Sequence, residues 1–280
     1  MFKVVAAATV DGHQVTVLEP QADDWLDTLA EEYRQLRTAA VVPLELLQGL
    51  EVSVQELQRR LQLRMLPTRR TGATRHLSVE RSDLGELALA VAGQQFRDYL
   101  YGYRSVRDRE LVQLPGRGID QIGVRAATED GQEVIYLSLG EAKVSAEAKT
   151  PPRVVHGARD SLHEQHIGHL TEREATSQKL WNARRQTTDP HTARLLASAA
   201  WLWDEDNDGR LIVRCTSMLV RPDHGSLGDA GPFQSSPSTY EPGEVDFMVL
   251  RVATNDIEAL VDDFLLAAAA PPSSPDEDAA

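Results

Sequence analysis

Asp120, Glu141 and Lys143 are the residues whose types and surroundings point most directly to chemistry. Asp120 lies in Gly118-Ile119-Asp120-Gln121-Ile122-Gly123-Val124, and Glu141-Ala142-Lys143 closes the apolar run that begins at Val134. Both stretches read as strands. Residues i and i+2 of a strand share a face, so Ile135, Leu137, Leu139, Glu141 and Lys143 are expected on one side. Asp120, Ile122, Val124 and Ala126 are expected together on one side of the other strand. Each acid then sits on an apolar side, where an unpaired carboxylate is costly. A divalent cation relieves that cost. Two acids around a hard cation with a lysine nearby are the equipment of phosphodiester hydrolysis. The competing reading is a salt-bridged Glu141–Lys143 pair at a strand end.

The tripeptide alone decides little, because Glu147-Ala148-Lys149 repeats it six residues later. No apolar run precedes that copy, and Pro151-Pro152 follows it, so it reads as a solvated loop or helix edge. His163, His166 and His169 recur every third residue on a predicted helix. Successive members rotate by about 60° around the axis, which suits a surface or phosphate-facing helix better than one shared ion. Gln165 or His166 remains placed to reach the acids from across the sheet. Asp204-Glu205-Asp206-Asn207-Asp208-Gly209 resembles the opening of a calcium loop, but Cys215 stands where the bidentate glutamate belongs, so it reads as an acidic turn. Tyr99, Tyr101 and Tyr103, interspersed with arginines, read as packing against the sheet, with stacking on nucleic acid as the alternative.

Composition bounds the rest. A chain of 280 residues with 41% hydrophobic and 26% charged residues fits one large globular domain, or one with a small appendage. The amino-terminal stretch is too short and too quickly polar for a spanning helix, and a secretory signal is not expected. A single cysteine, Cys215, permits no internal disulfide and no cysteine-rich zinc site, which points to a reducing cytoplasm. The net charge of −14 argues against nonspecific coating of nucleic acid. Charge is unevenly spread, however. Residues 59–75 hold six arginines and no acid, among them Arg69, Arg70 and Arg75. Guanidinium pairs bidentately with phosphate, so these three are candidate DNA contacts; a solvated or partner-docking face is the alternative.

The elements that must position the acids can be read in order. A hairpin is predicted over 2–10 and 13–18, and helices over 22–38 and 52–66. Residues 1–75 are read as a small α+β extension and 68–76 as a linker. A helix over 83–101 is followed by strands at 110–114, 119–127 and 133–143. A long helix over 153–186 and another over 191–203 precede strands at 210–220 and 245–253, and a helix over 255–269 closes the order. The tail from 271 is expected to be disordered. This order predicts a three-layer α/β architecture, a mixed sheet covered by helices on both faces.

With Gly85-Glu86 in an early helix, Gly118-Ile119-Asp120-Gln121-Ile122-Gly123, and Gly140-Glu141-Ala142-Lys143, the chain resembles the PD-(D/E)XK nuclease superfamily over about residues 78–265. The finer pattern is similar to the HamA nuclease subunits of Hachiman anti-phage defence. Ile119 stands where the superfamily name has proline. The resemblance implies a restriction-endonuclease-like core and a Mg²⁺- or Mn²⁺-dependent DNA endonuclease of prokaryotic immunity, held in check by a helicase-like partner. It implies that Asp120, Glu141 and the main-chain carbonyl of Ala142 bind the metal. Lys143 would position or deprotonate the attacking water, and Glu86 would hold a water or complete the metal shell. The alternative is a non-catalytic adaptor that binds DNA or a partner on the same fold.

Overall fold

A computed structural model describes the chain apart from residues 11–12, 39–52, 54–55, 58–59, 61–63, 67–76, 109–117, 206–208, 232, 234–236, 242 and 271–280. Arg69, Arg70 and Arg75, the strand expected at 110–114, most of the helix expected at 52–66, part of the acidic turn and the tail lie outside the described residues.

Among the described residues, seven strands form one mixed sheet: β1 (Phe2–Val10), β2 (His13–Pro20), β3 (Leu100–Arg104), β4 (Gln121–Glu129), β5 (Gln132–Val144), β6 (Leu211–Arg221) and β7 (Glu244–Arg251). Their spatial order is β1-β2-β7-β6-β5-β4-β3. The middle pairs β2–β7, β7–β6 and β6–β5 are parallel, and the pairs towards either edge are antiparallel. The expected amino-terminal hairpin is present and lengthens this sheet by two strands, because β2 pairs with β7 from Gln14 opposite Asp246 to Leu18 opposite Leu250.

Helices cover both faces. On one lie α1 (Trp25–Thr38), α2 (Leu77–Arg97) and the last helix, α7 (Ile257–Ala269). Their core joins Leu29, Tyr33, Leu87 and Phe264 to the even-numbered side of β5, Ala142 and Val144. A one-turn helix, α3 (Ser105–Asp108), follows β3. The opposite face carries α4 (Leu162–Thr171), α5 (Arg173–Gln186) and α6 (Pro190–Asp204). There Ile135, Leu137 and Leu139, on the odd-numbered side of β5, pack with Leu180, Leu195 and Leu196. Three-layer α/β packing follows from this division, since each sheet face must bury its apolar side.

One expected element divides. The helix predicted over 153–186 is two helices, interrupted at Glu172 (φ −85°, ψ 58°), and residues 153–160 are turns. Ser161 starts α4 as its N-cap, accepting from the Glu164 amide at 3.4 Å. At the break, the Thr176 hydroxyl donates to the His169 carbonyl at 2.8 Å, satisfying a helix-end acceptor that would otherwise lack a bond. Asp189 and Pro190 open α6 as N-cap and first-turn proline. The helix expected over 83–101 runs over Leu77–Arg97 instead, and Leu100–Arg104 is an unexpected edge strand, so Tyr101 and Tyr103 lie within the sheet and do not pack against it from a helix end.

Candidate active site

The antiparallel β4–β5 pair brings Gln121 opposite Gly140, and the Asp120 amide donates to the Gly140 carbonyl at 3.1 Å. Asp120 therefore stands where β4 begins, beside the β5 stretch that carries Glu141. Its Oδ2 accepts the Ala142 amide at 2.9 Å. Main-chain N–H and C=O of one strand residue point to the same edge. The Ala142 carbonyl is consequently directed to the edge where Asp120 lies. Gln121, on the other side of the strand, faces α2 and donates from Nε2 to the Glu86 carbonyl. Asp120 and Glu141 thus share the face covered by α4 and α5, as the strand alternation predicts.

The two carboxyls are near enough to shift each other's protonation. Glu141 is fully buried, and among the described residues its Oε2 has no hydrogen-bond donor. Burial drives the Glu141 carboxyl up to about 8, against the pull of Lys143 and Lys179. Asp120, part of whose surface remains exposed, is held well above the usual carboxylate range by desolvation and by Glu141. Lys143, half-buried and two residues along the same face, acts on both acids through space. The close partner of Glu141 is not this lysine but His169, whose Nε2 lies 2.6 Å from Oε1.

That histidine contact is the main feature that sequence reading missed. Glu141 of β5 and Ser217 of β6 are neighbours in register. His169 reaches Glu141, and His166, one helical turn earlier on α4, places Nε2 2.7 Å from Ser217 Oγ. Both imidazoles are buried, which corrects the surface-helix reading of this segment. Burial lowers both: His166 well below its ordinary value and His169 to about 4, the latter also under the influence of Lys179. Both are neutral near pH 7. His163 turns elsewhere, to the Tyr240 hydroxyl. The three rings thus have three different partners, as their rotation around the helix dictates.

Glu86 comes from α2, on the other side of the sheet. Its carboxyl is pushed well above the ordinary range, first by burial and then by Asp120 and Asp83. Its oxygens are engaged: Oε1 accepts from Ser82 at 2.9 Å, and Oε2 from the Ser105 hydroxyl at 2.7 Å and the Val106 amide at 3.1 Å. Glu86 therefore ties α2 to the start of α3. The second tripeptide copy lies in a loop, where Arg221 donates to the carbonyls of Glu147 and Lys149.

Among the described residues, no three His, Cys, Asp or Glu side chains gather as an ion cage. Asp120, Glu141 and the Ala142 carbonyl nevertheless fit a hard cation such as Mg²⁺. That ion keeps several waters and takes one or two carboxylates. The fit rests on an acceptor without a donor, Glu141 Oε2, set beside a second acid. A cleft of about 220 Å³ adjoins this place, lined by Ile119, Tyr103 and the Lys179 side of α5. A wider hollow of about 940 Å³ opens at the other end of β5, by Gln132 and Trp201, and holds none of these acids. Among the described residues, no helix is long and apolar enough to cross a membrane. Comparison of the chain with protein-family models and with curated proteins found no match.

Proposed function

We propose that this protein is a Mg²⁺-dependent DNA endonuclease of the PD-(D/E)XK type. The observation that carries this reading is the pair Asp120–Glu141. Two carboxyls from antiparallel strands meet at the end of the sheet, each raised by burial, with one buried oxygen lacking a donor. Such an arrangement is unfavourable for the protein alone and is relieved by a cation. A divalent ion held by Asp120, Glu141 and the Ala142 carbonyl supplies positive charge against the phosphodiester and makes a water more acidic. The remaining work belongs to the chain's own groups. Lys143, on the face of Glu141, orients the attacking water and offsets charge developing on the phosphate. His169 holds one Glu141 oxygen so that the other is presented to Asp120. Control by a helicase-like partner, in an anti-phage setting, rests on the sequence resemblance.

The test is cleavage of supercoiled plasmid with and without Mg²⁺ or Mn²⁺. We expect nicking that requires the ion and is lost in Glu141→Gln and Lys143→Ala, with near-ultraviolet circular dichroism unchanged. Cleavage that persists in both variants refutes the site. A second reading, a non-catalytic DNA- or partner-binding protein, is favoured by the complete burial of Glu141 and its engagement with His169. That reading predicts DNA binding without turnover and indifference to Glu141→Gln.

A further inference from the structure

The cleft beside the acids has a chemistry of its own. Four polar residues of α5 line it, Lys179, Asn182, Arg185 and Gln186, at helix positions i, i+3, i+6 and i+7. That spacing puts them along one side of the helix over roughly 10 Å. Among the described residues, neither Lys179 nor Arg185 has a carboxylate within salt-bridge distance, although the chain carries a net charge of −14. Two backbone features shape the cleft. Gly118, at φ +87°, leaves room for Lys179, whose Nζ lies 2.5 Å from where a Cβ would stand. The register of β3 shifts between Tyr101 and Tyr103, and this bulge turns Tyr103 away from α2, where Tyr101 packs, towards α5. A Cβ on the intervening Gly102 would stand 2.2 Å from Leu196 Cδ1 and 2.8 Å from Thr187 Oγ1, so glycine lets these side chains pack against the bulge without shifting.

Lys179 joins cleft to acids, since it acts electrostatically on both Glu141 and His169. We infer that this cleft is the strand-binding subsite, taking the phosphodiester backbone of single-stranded DNA. Lys179 meets the phosphate nearest the acids and Arg185 the next, with Tyr103 as the apolar floor. At about 220 Å³ the cleft has room for a short stretch of one backbone. This assignment rests on reading the acids as a nucleic-acid site.

The test is fluorescence anisotropy of a labelled single-stranded 12-mer oligodeoxynucleotide with the full chain in EDTA, from 50 to 200 mM KCl. Lys179→Ala and Arg185→Ala are each expected to weaken binding about 3- to 10-fold and to reduce the salt slope by about 0.7, the value for one phosphate of a single strand. Arg184→Ala, one residue from Arg185 and outside the cleft, is the control and is expected to change neither. No binding by the wild type, unchanged binding in the two cleft variants, or an equal loss in Arg184→Ala overturns the subsite. Ion-dependent cleavage with unchanged binding in the variants defeats the subsite and leaves the hydrolase standing. The expected binding losses without any cleavage defeat the hydrolase and leave the subsite.

Discussion

His169 Nε2 lies 2.6 Å from Glu141 Oε1, across a boundary between helix and sheet where both side chains are buried. With the imidazole lowered to about 4 and the carboxyl raised to about 8, both groups are neutral near pH 7, and one shared proton joins Nε2 to Oε1. One Glu141 oxygen is thereby fixed and the other turned towards Asp120. The contact is an orienting one, of the kind that holds a ligand in place from behind.

Removing that contact should loosen the proposed ion site more than the fold. His169→Ala is expected to weaken Mn²⁺ binding, followed by isothermal calorimetry, by about 10- to 100-fold. His169→Gln, which keeps an N–H donor, should recover part of that loss. Equal affinity in the wild type and the alanine variant would show that the imidazole only fills space.

The raised acids make the metal-free protein sensitive to base. Glu141 has a folded pKa of about 8 against an ordinary value of 4.5. Its carboxyl therefore favours folding fully below about 4.5, and that contribution is lost as pH rises through about 8. Asp120 and Glu86, both raised, add in the same direction. Thermal melts in EDTA should show Tm falling from pH 5 to pH 8.5, by about 2–4 °C for each kcal/mol lost. Glu141→Gln should flatten that slope. Mg²⁺ should stabilise the fold most at the alkaline end, by about 2.7 kcal/mol at a hundredfold excess over Kd, and raise Tm accordingly. A wild-type slope no steeper than that of the variant would place the ionisation elsewhere.

Glu86 offers a different signature, because its oxygens serve Ser82, Ser105 and the Val106 amide. Glu86→Ala leaves those donors without their acceptor, at roughly 1–3 kcal/mol for each one that stays buried. Glu86→Gln keeps an acceptor oxygen and removes the repulsion from Asp120. Urea unfolding at pH 8 should find the alanine variant less stable than wild type and the glutamine variant equal or better. Large loss of Mn²⁺ affinity in Glu86→Gln, with stability intact, would instead make it a ligand.

How far the chain could be read follows from which forces are local. Alternation in 119–127 and 133–143 put Asp120 and Glu141 on one face, since side-chain direction in a strand is set every second residue. Helix spacing likewise located α1, α6 and α7 within a few residues. The contact of His169 with Glu141 was not legible, because it depends on how α4 crosses the sheet after the break at Glu172. Spacing of histidines on a helix says which way they diverge, not what lies beneath them. Tyr103 was hidden for a related reason. A bulge at Gly102 changes which face it takes, and strand periodicity does not reveal a bulge.

Arg221 offers a test of how the end of the acid strand is held. It is fully buried, within 3.4 Å of Asp229, and donates to the carbonyls of Ser145, Glu147 and Lys149 in the loop that follows Lys143. Four acceptors around one guanidinium satisfy a charge that burial would otherwise make very costly. Arg221→Met removes the donors and leaves Asp229 buried without its cation, so a loss of about 3–5 kcal/mol is expected in urea unfolding. The double variant Arg221→Met/Asp229→Asn should recover part of it by removing the stranded charge. Hydrogen exchange should meanwhile show faster labelling of 145–150 in both, because the loop carbonyls lose their tether either way. Full protection of that loop in the double variant would mean that the backbone path after Lys143 is set by packing, with the arginine serving only to neutralise Asp229.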